Sequence, residues 1–431
     1  MKEALLQYIW KFQLYHLANL KTVTQDDLQI IYQGDYNTTQ HGPDFLNASI
    51  VINGIKLFGN IEIHVFASDW IKHQHTNDSN YQSVILHVVY FNDVELINGM
   101  PTLQLNGRVM PLLLQKYRTI MDNNNVVKCK NLSATLNSIV IQQAKEKAII
   151  HRLERKSVQI QQQLHQFNGD WNQVHYYNLV QCFFDKSNQF AAKNLLVNLP
   201  YSVLLKHADN IFQLEALLFG VAGLLHDNFS DDYPSMLQKE FSFLQAKYQL
   251  KISNKKYWNY FRIRPMSFPS IRLSQLANLL HTSPQFVRLY QLDKVKYTLQ
   301  NVQASVYWQT HYLLDKSTSN HTNCLGKKQI DKILINYTLP IQYTYAKYEQ
   351  KPLEYILEYY YSLSKETNNK TKLFDYEHFN HKTAYDSQAF IELHDEFCTK
   401  QKCLQCVIGH HVLAQSNKIQ NYIEEENVFY V

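Results

Sequence analysis

The stretch from His41 to Tyr90, HGPDFLNASIVINGIKLFGNIEIHVFASDWIKHQHTNDSNYQSVILHVVY, carries the turn and strand signals that decide the fold of the first part of the chain. Asn53-Gly54 is a strong signal for a two-residue β-hairpin turn. The residues on both sides of this turn alternate between apolar and polar types, which predicts two antiparallel strands, residues 44–52 and 55–66.

The second strand of this hairpin carries two polar side chains on one face. Side chains alternate along a strand, so Glu62 and His64 point the same way, while Ile61 and Ile63 lie on the opposite face. Asp44, at the open end of the partner strand, is expected to approach Glu62. Two converging carboxylates with positions left for water suit a hard cation such as Mg²⁺. Asp44 and Glu62 are therefore candidate ligands.

Other roles fit some of these residues. Asp44 follows Gly42-Pro43, where a turn or cap carboxylate is also expected. His64 and His87 lie in apolar strands, where hydrogen-bonded core histidines are common. Burial of Glu62 is costly without an ion or hydrogen-bond partner, so its position favours function.

A second candidate site lies in the polar loop that follows the hairpin. The spacing of His73, His75 and Asp78 permits a zinc or manganese site, completed by His64 or His87. A loop of solvated polar residues is the other interpretation.

The N-terminal order of elements predicts a mixed β-sheet domain. An amphipathic helix within residues 1–18 precedes strands at 28–32, 44–52, 55–66, 84–90 and 102–109, and the connection 67–83 has more loop than helix character. From about residue 112 the hydrophobic period becomes helical. The segment 333–346 is predicted to be a short strand or an extended packing segment. The fold class is thus α+β, with domains at residues 1–128 (sheet domain), 129–315 (helical) and 316–431 (mainly helical with a cysteine cluster).

Composition limits the function classes. The 431 residues carry a net charge of +5 with a pI near 8.6, which permits a polyanionic partner without requiring one. No stretch approaches about 18 uninterrupted apolar residues, and no basic head precedes an apolar run near the N-terminus. We therefore expect a cytoplasmic protein without a membrane partner. The six cysteines are not arranged as a disulfide framework.

The segment KKYWNYFRIRPMSFPSIR, residues 255–272, interleaves aromatic and basic residues. Stacking faces beside phosphate-binding cations are typical of single-strand recognition, which makes Lys255, Trp258, Arg262 and Arg264 candidate nucleic-acid contacts. The alternative is a structured turn with packed aromatic side chains.

Near the C-terminus, Cys398, Cys403 and Cys406 follow one another closely. Three such thiols can chelate structural zinc or an iron–sulfur cluster. The candidates for a fourth ligand are His410, His411, Cys324, Cys182 and Cys129. Free buried thiols are the alternative.

Pro43-Asp44 and Glu62-Ile63-His64 resemble the motif of the PD-(D/E)xK phosphodiesterase superfamily. The resemblance implies a restriction-endonuclease-like mixed sheet flanked by helices, and cleavage of DNA or RNA with Mg²⁺ or Mn²⁺ held by Asp44 and Glu62. His64 stands at the third catalytic position in place of lysine, and a histidine can be neutral at pH 7 and act as a base or donor. Members often add a helical acid, for which Glu3 is the candidate. A first-turn glutamate favoured by the helix dipole is the alternative.

A second resemblance covers almost the whole chain. GPDF, GNIEIH, SDW, HxHxxD, LHVVY, RIRPxxFP and CxxxxCxxC, in this order, resemble domain-of-unknown-function family 2851, a set of uncharacterised bacterial proteins. This resemblance implies kinship and no activity. Some PD-(D/E)xK nucleases also carry a four-cysteine cluster with one remote ligand.

Together these patterns predict a metal-dependent nucleic-acid phosphodiesterase, or a degenerate descendant of one, with Asp44, Glu62 and His64 as catalytic residues. The change from lysine to histidine and the modest charge favour the alternative, a non-catalytic nucleic-acid-binding or scaffold protein. A zinc hydrolase built on His73, His75 and Asp78 is a third hypothesis.

Overall fold

The structure, a computed structural model, describes residues 1–39, 41–95, 97, 99–131, 136–286, 291–375, 379 and 381–415. Its N-terminal region holds a mixed sheet and the rest is mostly helical, which confirms the predicted α+β class. The chain forms two compact units: unit 1 (Met1–Lys147, Leu373–Asn380 and Ile391–Val431) and unit 2 (Ala148–Lys372 and His381–Phe390). The three domain ranges given above stay a prediction.

The sheet of unit 1 has six strands. They are β1 Leu28–Tyr32, β2 Asp35–Tyr36, β3 Phe45–Ile52, β4 Ile55–Phe66, β5 Val84–Phe91 and β6 Thr102–Gln104. The strand order is β1-β3-β4-β5-β6, and β2 pairs with the beginning of β3. Strands β1, β3 and β4 are antiparallel, whereas β5 runs parallel to both β4 and β6.

The β3–β4 hairpin forms where the sequence predicts it. Asn53 and Gly54 have φ of 48° and 81°, the left-handed region that a tight hairpin turn of this type requires. The side-chain oxygen of Asn53 also accepts a hydrogen bond from the Asp27 backbone N–H at 2.9 Å, which holds the turn against β1. Near the open end of the hairpin, Phe45 pairs with Ile61. Asp44, which precedes Phe45, therefore faces Glu62, which follows Ile61.

The sixteen helices assigned within the described ranges are α1 Glu3–Lys11, α2 Asp69–Lys72, α3 Pro111–Asp122, α4 Ser138–Gln166, α5 Trp171–Phe183, α6 Gln189–Asn198, α7 Tyr201–Leu205, α8 Ile211–Val221, α9 Asp232–Tyr248, α10 Pro269–Thr282, α11 Leu292–Gln300, α12 Lys327–Ile333, α13 Leu339–Tyr348, α14 Glu354–Ser362, α15 Asn369–Lys372 and α16 Ala384–Glu392. Unit 2 is built mainly from these helices, with a two-stranded ribbon of β7 His311–Leu313 and β8 Lys316–Ser317. None of the helices in the described residues is long and apolar enough to cross a membrane.

Helix α1 packs one face on the sheet. Leu5, Leu6, Ile9 and Trp10 are buried, and the helix ends by Phe12 because Gln13 adopts a left-handed φ of 51°. It is therefore shorter than the predicted range 1–18. Its first two turns lie next to the beginning of β3, which matters for the site described below.

Two other segments differ from the sequence-based predictions. Residues 333–346 are helical and not extended, since the turn Leu334–Thr338 has π-helical hydrogen bonding and leads into α13. The widened π turn just before Pro340 accommodates a residue that lacks a backbone N–H within a continuous helix. Strand β6 stops at Gln104, and Gly107 then turns with φ of 83°.

Gly59 allows β4 and β5 to approach closely. A Cβ atom at this position would lie 2.5 Å from both the Ser83 carbonyl oxygen and Ile85 Cγ2. Gly59→Ala should therefore reduce the free energy of unfolding by about 1–3 kcal/mol through overpacking. Urea denaturation followed by circular dichroism measures it. The matched control is Gly326→Ala, where the added methyl meets open space and φ is −72°. An equal loss in both variants would contradict the expected crowding.

Candidate metal centre

The hairpin brings Asp44 and Glu62 together, as the alternation of side chains predicts. The Asp44 backbone N–H donates a hydrogen bond to Glu62 Oε2 at 3.1 Å, and the Ile63 N–H donates one to Asp44 Oδ2 at 3.1 Å. Glu62 is only 6% exposed. The two carboxylates are therefore neighbours in a largely buried position.

Helix α1 adds two polar side chains to this pair. Gln7 Nε2 donates a hydrogen bond to Asp44 Oδ1 at 2.8 Å and lies 3.4 Å from Glu3 Oε1. The charge of Glu3 contributes to raising the pKa of Asp44 and of Glu62. Glu3 therefore lies near both carboxylates, and its role as a third acid of the site stays a prediction. Gln7 was missed, although its spacing of four residues from Glu3 puts both on one helix face.

On the other side of Glu62, three histidines converge. His64 Nε2 lies 3.1 Å from His73 Nδ1, and Glu62 Oε1 lies 3.5 Å from His64 Nε2 and 3.6 Å from His75 Nε2. One ligand nitrogen from each of the three histidines falls within 4.8 Å of the others. We call Glu62, His64, His73 and His75 the carboxylate–histidine cluster.

The loop after β4 folds back to deliver the last two histidines. Trp70 is buried and donates its indole N–H to Thr76 Oγ1 at 3.2 Å, which ties the loop to itself. Gln74 adopts a left-handed φ of 62° between the two histidines and reverses the chain. The ring of His75 stacks on Tyr81 with centroids 3.8 Å apart.

Burial sets the protonation states of the acids. The pKa of Glu62 rises to about 9, first because of burial and then because of the charge of Asp44. The pKa of Asp44 rises to about 7, through burial and the charge of Glu3. Without a cation, Glu62 therefore holds a proton at neutral pH, and its contacts with the histidines are not ion pairs.

The histidines shift in the opposite direction. Burial, followed by the neighbouring histidines, lowers the pKa of His64 to about 3, and burial lowers that of His87 to about 4. His64 Nδ1 and His87 Nε2 lie 2.9 Å apart, while His87 Nδ1 is buried and has no hydrogen-bond partner. Neutral imidazoles offer lone pairs to a metal ion, and His87 can orient His64 from behind.

The donor set fits a borderline divalent metal ion. Nitrogen ligands about 2.0–2.1 Å from a tetrahedral ion lie about 3.4 Å from one another. The 3.1 Å between His64 Nε2 and His73 Nδ1, and the 3.5 and 3.6 Å from Glu62 Oε1 to His64 Nε2 and His75 Nε2, are close to this spacing. The group of ligand atoms that all lie within 4.8 Å of one another comprises the three histidines, and Glu62 lies beside two of them. Three imidazoles and one carboxylate suit zinc or manganese better than magnesium, which prefers oxygen ligands. His73 is exposed, so the cluster is open to solvent at this residue. Asp44 and Glu3 stand beside this set.

Asp78 accepts hydrogen bonds within its own turn, and its role as a metal ligand stays a prediction. Its Oδ1 accepts hydrogen bonds from the backbone N–H and the side-chain amide of Asn80, both at 2.9 Å. It thereby caps the short turn Ser79–Tyr81. The structure brings His64, His73 and His75 together, with Glu62 beside His64 and His75, and Asp78 is not in this group.

A cleft of about 850 Å³ opens beside α1 in unit 1. No carboxylate occurs among the described residues that line it. Its positive and aromatic lining comprises Lys2, Lys11, Lys147, Lys400, Lys402, Tyr8, Phe12, Tyr36 and Tyr117. Gln7 also lines it and accepts a hydrogen bond from the Tyr36 hydroxyl at 3.3 Å. Since Gln7 holds Asp44, this basic cleft borders the acidic residues directly. No feature of the sequence indicated it, because its walls come from distant segments.

The aromatic and basic segment 255–272 is mostly packed. Trp258 is 5% exposed and donates its indole N–H to the Ala222 carbonyl oxygen at 3.0 Å, so its ring does not offer a free stacking face. Lys255 Nζ pairs with Asp227 Oδ1 at 2.6 Å. Arg262 and Arg264 are exposed. The structured-turn interpretation therefore fits Trp258, whereas the two arginines are available for contacts.

The three C-terminal cysteines lie around one small cavity together with Cys129. His410 lies elsewhere, with Nδ1 2.7 Å from the Tyr8 hydroxyl in the basic cleft. His411 Nε2 lies 2.8 Å from the side-chain amide of Gln415. Of the five candidates for the fourth ligand, the structure therefore brings Cys129 to the other cysteines.

A family model described as a protein of unknown function (DUF2851) matches residues 3–369. The chain belongs to this family. The matched residues include the carboxylate–histidine cluster and Cys129, while Cys398, Cys403 and Cys406 lie beyond them. No curated protein and no solved structure matches the chain. Membership of DUF2851 names no activity, so the function has to be argued from the site.

Metal binding to the cluster can be tested with Mn²⁺, which thiolates bind weakly. Titration calorimetry should show one site, and Mn²⁺ at 100 times its Kd should raise the free energy of unfolding by about 2.7 kcal/mol. His73→Ala should abolish both effects with little loss of stability, because this side chain is exposed. His16→Ala, at an exposed histidine outside the cluster, is the control. Unchanged Mn²⁺ affinity in His73→Ala would refute the site.

The stability of the metal-free protein should fall as the pH rises from 7 to 9. In this range folded Glu62, with a pKa of about 9, keeps a proton that the unfolded chain has already lost. The folded state therefore binds more protons, and the free energy of unfolding decreases by up to about 1.4 kcal/mol per pH unit. The lowered pKa values of the histidines have the opposite effect: they reduce the free energy of unfolding as the pH falls, and only below about pH 6.5.

The measurement is urea denaturation in EDTA at pH 7, 8 and 9. Glu62→Gln removes the titrating group and should flatten the slope, whereas Glu349→Gln, at an exposed position, should leave it unchanged. The same slope in Glu62→Gln and in the parent protein would assign the pH dependence to other groups.

Proposed function

We propose that this DUF2851 protein is a metal-dependent phosphodiesterase that cleaves nucleic acid, with the carboxylate–histidine cluster as its catalytic centre. The observation that carries the proposal is the convergence of Glu62 and three histidines beside a lysine-lined cleft. Phosphodiester hydrolysis by this route needs a cation site and, beside it, a surface that binds a polyanion. The carboxylate–histidine cluster and the basic cleft would supply these two parts.

The protein's own groups would divide the work as follows. A divalent cation in the cluster would supply Lewis-acid chemistry, polarising a phosphoryl oxygen and lowering the pKa of the attacking water. Asp44 is fixed by Gln7 and by the Ile63 N–H, beside Glu62. A divalent cation in the cluster would lower the raised pKa of this carboxyl group, so that Asp44 would be ionised at neutral pH and able to accept a proton. Asp44 therefore takes the role of general base, and Glu62 that of ligand.

His64 would act as a ligand and not as a substitute for the lysine of PD-(D/E)xK enzymes. Its low pKa keeps it neutral, so it brings no positive charge to a phosphate. His87, 2.9 Å away, holds the other ring nitrogen and fixes the orientation of the imidazole. The charge that lysine provides in the superfamily would come from the lysines of the cleft.

The basic cleft favours a single strand as the substrate. Lys2, Lys11, Lys147 and Lys402 can follow a phosphate backbone, whereas Lys400 Nζ pairs with Glu396 Oε2 at 2.6 Å. The rings of Phe12 and Tyr36 are 41% and 40% exposed and offer surfaces on which any base can stack. Lys11 Nζ lies 5.1 Å from the centre of the Tyr36 ring.

The likeness to the PD-(D/E)xK superfamily is supported by three placements. The acids of the hairpin meet at the open end of β3 and β4, a third acid comes from α1, and the sheet is mixed. The histidines of the loop after β4 are an addition to that pattern. We infer a descendant of the superfamily whose centre takes a transition metal.

Cleavage of labelled single-stranded DNA, single-stranded RNA and duplex DNA, each with Mn²⁺, Zn²⁺ or Mg²⁺, tests the proposal. Mn²⁺ or Zn²⁺ should support cleavage of at least one single strand, and Glu62→Gln should lower the rate by at least ~100-fold because it removes the carboxylate ligand. His73→Ala should act alike, and His16→Ala should retain full activity. Full cleavage by Glu62→Gln would end the proposal.

Binding is measured in parallel to separate the catalytic from the non-catalytic function. Lys402→Glu should weaken oligonucleotide binding and reduce its salt dependence, while Lys239→Glu, an exposed lysine of unit 2, serves as the charge-matched control. Salt-dependent binding without cleavage in any metal would select the nucleic-acid-binding or scaffold function. If the protein neither binds nor cleaves nucleic acid, both functions are excluded.

A further inference from the structure

Unit 2 exposes a group of aromatic rings around the turn that follows Trp258. Phe261, in this turn, is 73% exposed, and Phe190, at the start of α6, is 60% exposed. The ring of Tyr257 is also exposed and lies against that of Phe190, with centroids 4.8 Å apart. Grouped exposed rings are a common mark of a binding surface. We call the surface formed by Phe190, Lys256, Tyr257, Phe261, Arg262 and Arg264 the aromatic–basic surface.

The backbone beneath these rings is held by two asparagines. Asn188 is buried, donates its side-chain amide N–H to the Asn259 carbonyl oxygen at 2.9 Å, and accepts the Asn259 N–H at 2.7 Å. The Asn259 side-chain oxygen in turn accepts the Phe261 N–H at 3.0 Å. Phe190 and Phe261 each follow one member of this pair by two residues, so both belong to the same part of unit 2. The rings are therefore presented on a preformed support.

Arg262 has a backbone conformation that its residue type rarely adopts. Its φ is 59°, whereas the other residues with left-handed φ in the described ranges are asparagine, glutamine, aspartate and glycine. This conformation places the guanidinium carbon 5.1 Å from the centre of the Phe261 ring. A glycine would form the same turn without strain, so the turn alone does not account for an arginine.

The positive charges beside the rings are not neutralised. Lys255 pairs with Asp227, but no carboxylate in the described part of the chain pairs with Lys256, Arg262 or Arg264. All three of these side chains are exposed. Adjacent positive charges without acidic partners attract an anionic ligand.

We propose that the aromatic–basic surface binds single-stranded nucleic acid, as a second binding surface in addition to the basic cleft of unit 1. Each nucleotide offers one planar base and one phosphate, which suits exposed rings interleaved with free cations. In a duplex the base faces are covered by stacking, and an acidic protein segment would use the cations without the rings. The choice of ligand rests on the proposed function, whereas the surface itself requires no cleavage.

Stacking on Phe261 is tested by the anisotropy of labelled oligo(dT) and oligo(U) bound to the full chain in EDTA. Phe261→Leu should weaken binding at least ~5-fold, because an apolar side chain without a ring cannot stack, and Phe261→Trp should retain the affinity. The position is exposed, so the fold should be unaffected. Phe243→Leu, at another exposed phenylalanine of unit 2, is the matched control.

The contribution of charge is tested with Arg262→Gly. Glycine suits the left-handed backbone, so this variant removes the guanidinium and preserves the turn. The slope of log affinity against log salt concentration should decrease by about 1, as expected for one lost phosphate contact. Lys239→Gln, at an exposed lysine of α9, should leave the slope unchanged.

Photocrosslinking locates the bound strand. An oligonucleotide that carries 5-iodouracil should crosslink to the tryptic peptide 257–262, which contains Tyr257 and Phe261. Full affinity in Phe261→Leu, or crosslinks in unit 1 alone, would overturn the inference and leave the proposed function standing. Equal competition by poly-glutamate at the same charge concentration would instead assign the surface to an acidic protein. If the wild-type chain binds neither oligonucleotide, the inference also fails, and the cleavage assay decides the proposed function separately.

Discussion

The register of the β3–β4 hairpin is the constraint on which the candidate site depends. Phe45 pairs with Ile61, so the Asp44 N–H reaches Glu62 and the Ile63 N–H reaches Asp44, each at 3.1 Å. A slip of one residue would turn Glu62 and His64 to the opposite face of the sheet. The left-handed Asn53-Gly54 turn excludes this slip locally, and the functional geometry is thus fixed by a turn at the other end of the hairpin.

Burial makes this geometry unfavourable in the absence of a cation. Glu3, Asp44 and Glu62 all have raised pKa values, while His64 and His87 have lowered ones, and burial is the first cause in each case. Such opposite shifts are what is expected where water has been removed from both acids and bases. A divalent cation would reverse both, since it stabilises carboxylates and uses neutral imidazoles. The proposed metal site depends on this burial, which surface residues of the same types lack.

The sequence predicted what depends on local signals. The turn at Asn53-Gly54 and the alternation along β4 were sufficient to place Asp44 next to Glu62. Local rules failed where tertiary contacts decide. Glu3 satisfies the dipole rule for a first turn equally well with or without Asp44 nearby, and the spacing of His73, His75 and Asp78 does not reveal that Asp78 caps its own turn. The sequence could not single out Cys129 from the five candidates, because the other cysteines of the cavity lie far from it in the sequence, near the C-terminus.

His64 lies where the proposed likeness to the PD-(D/E)xK superfamily would place a lysine. A lysine would need an exposed or acid-paired environment to stay charged, whereas His64 is buried, neutral and backed by His87. His75, from the loop after β4, places Nε2 3.6 Å from the oxygen of Glu62 that also lies near His64, and the lysines lie in the cleft beside α1. The histidines proposed to hold a metal ion therefore lie on β4 and the loop after it, whereas the lysines proposed to bind phosphate lie on other segments of unit 1.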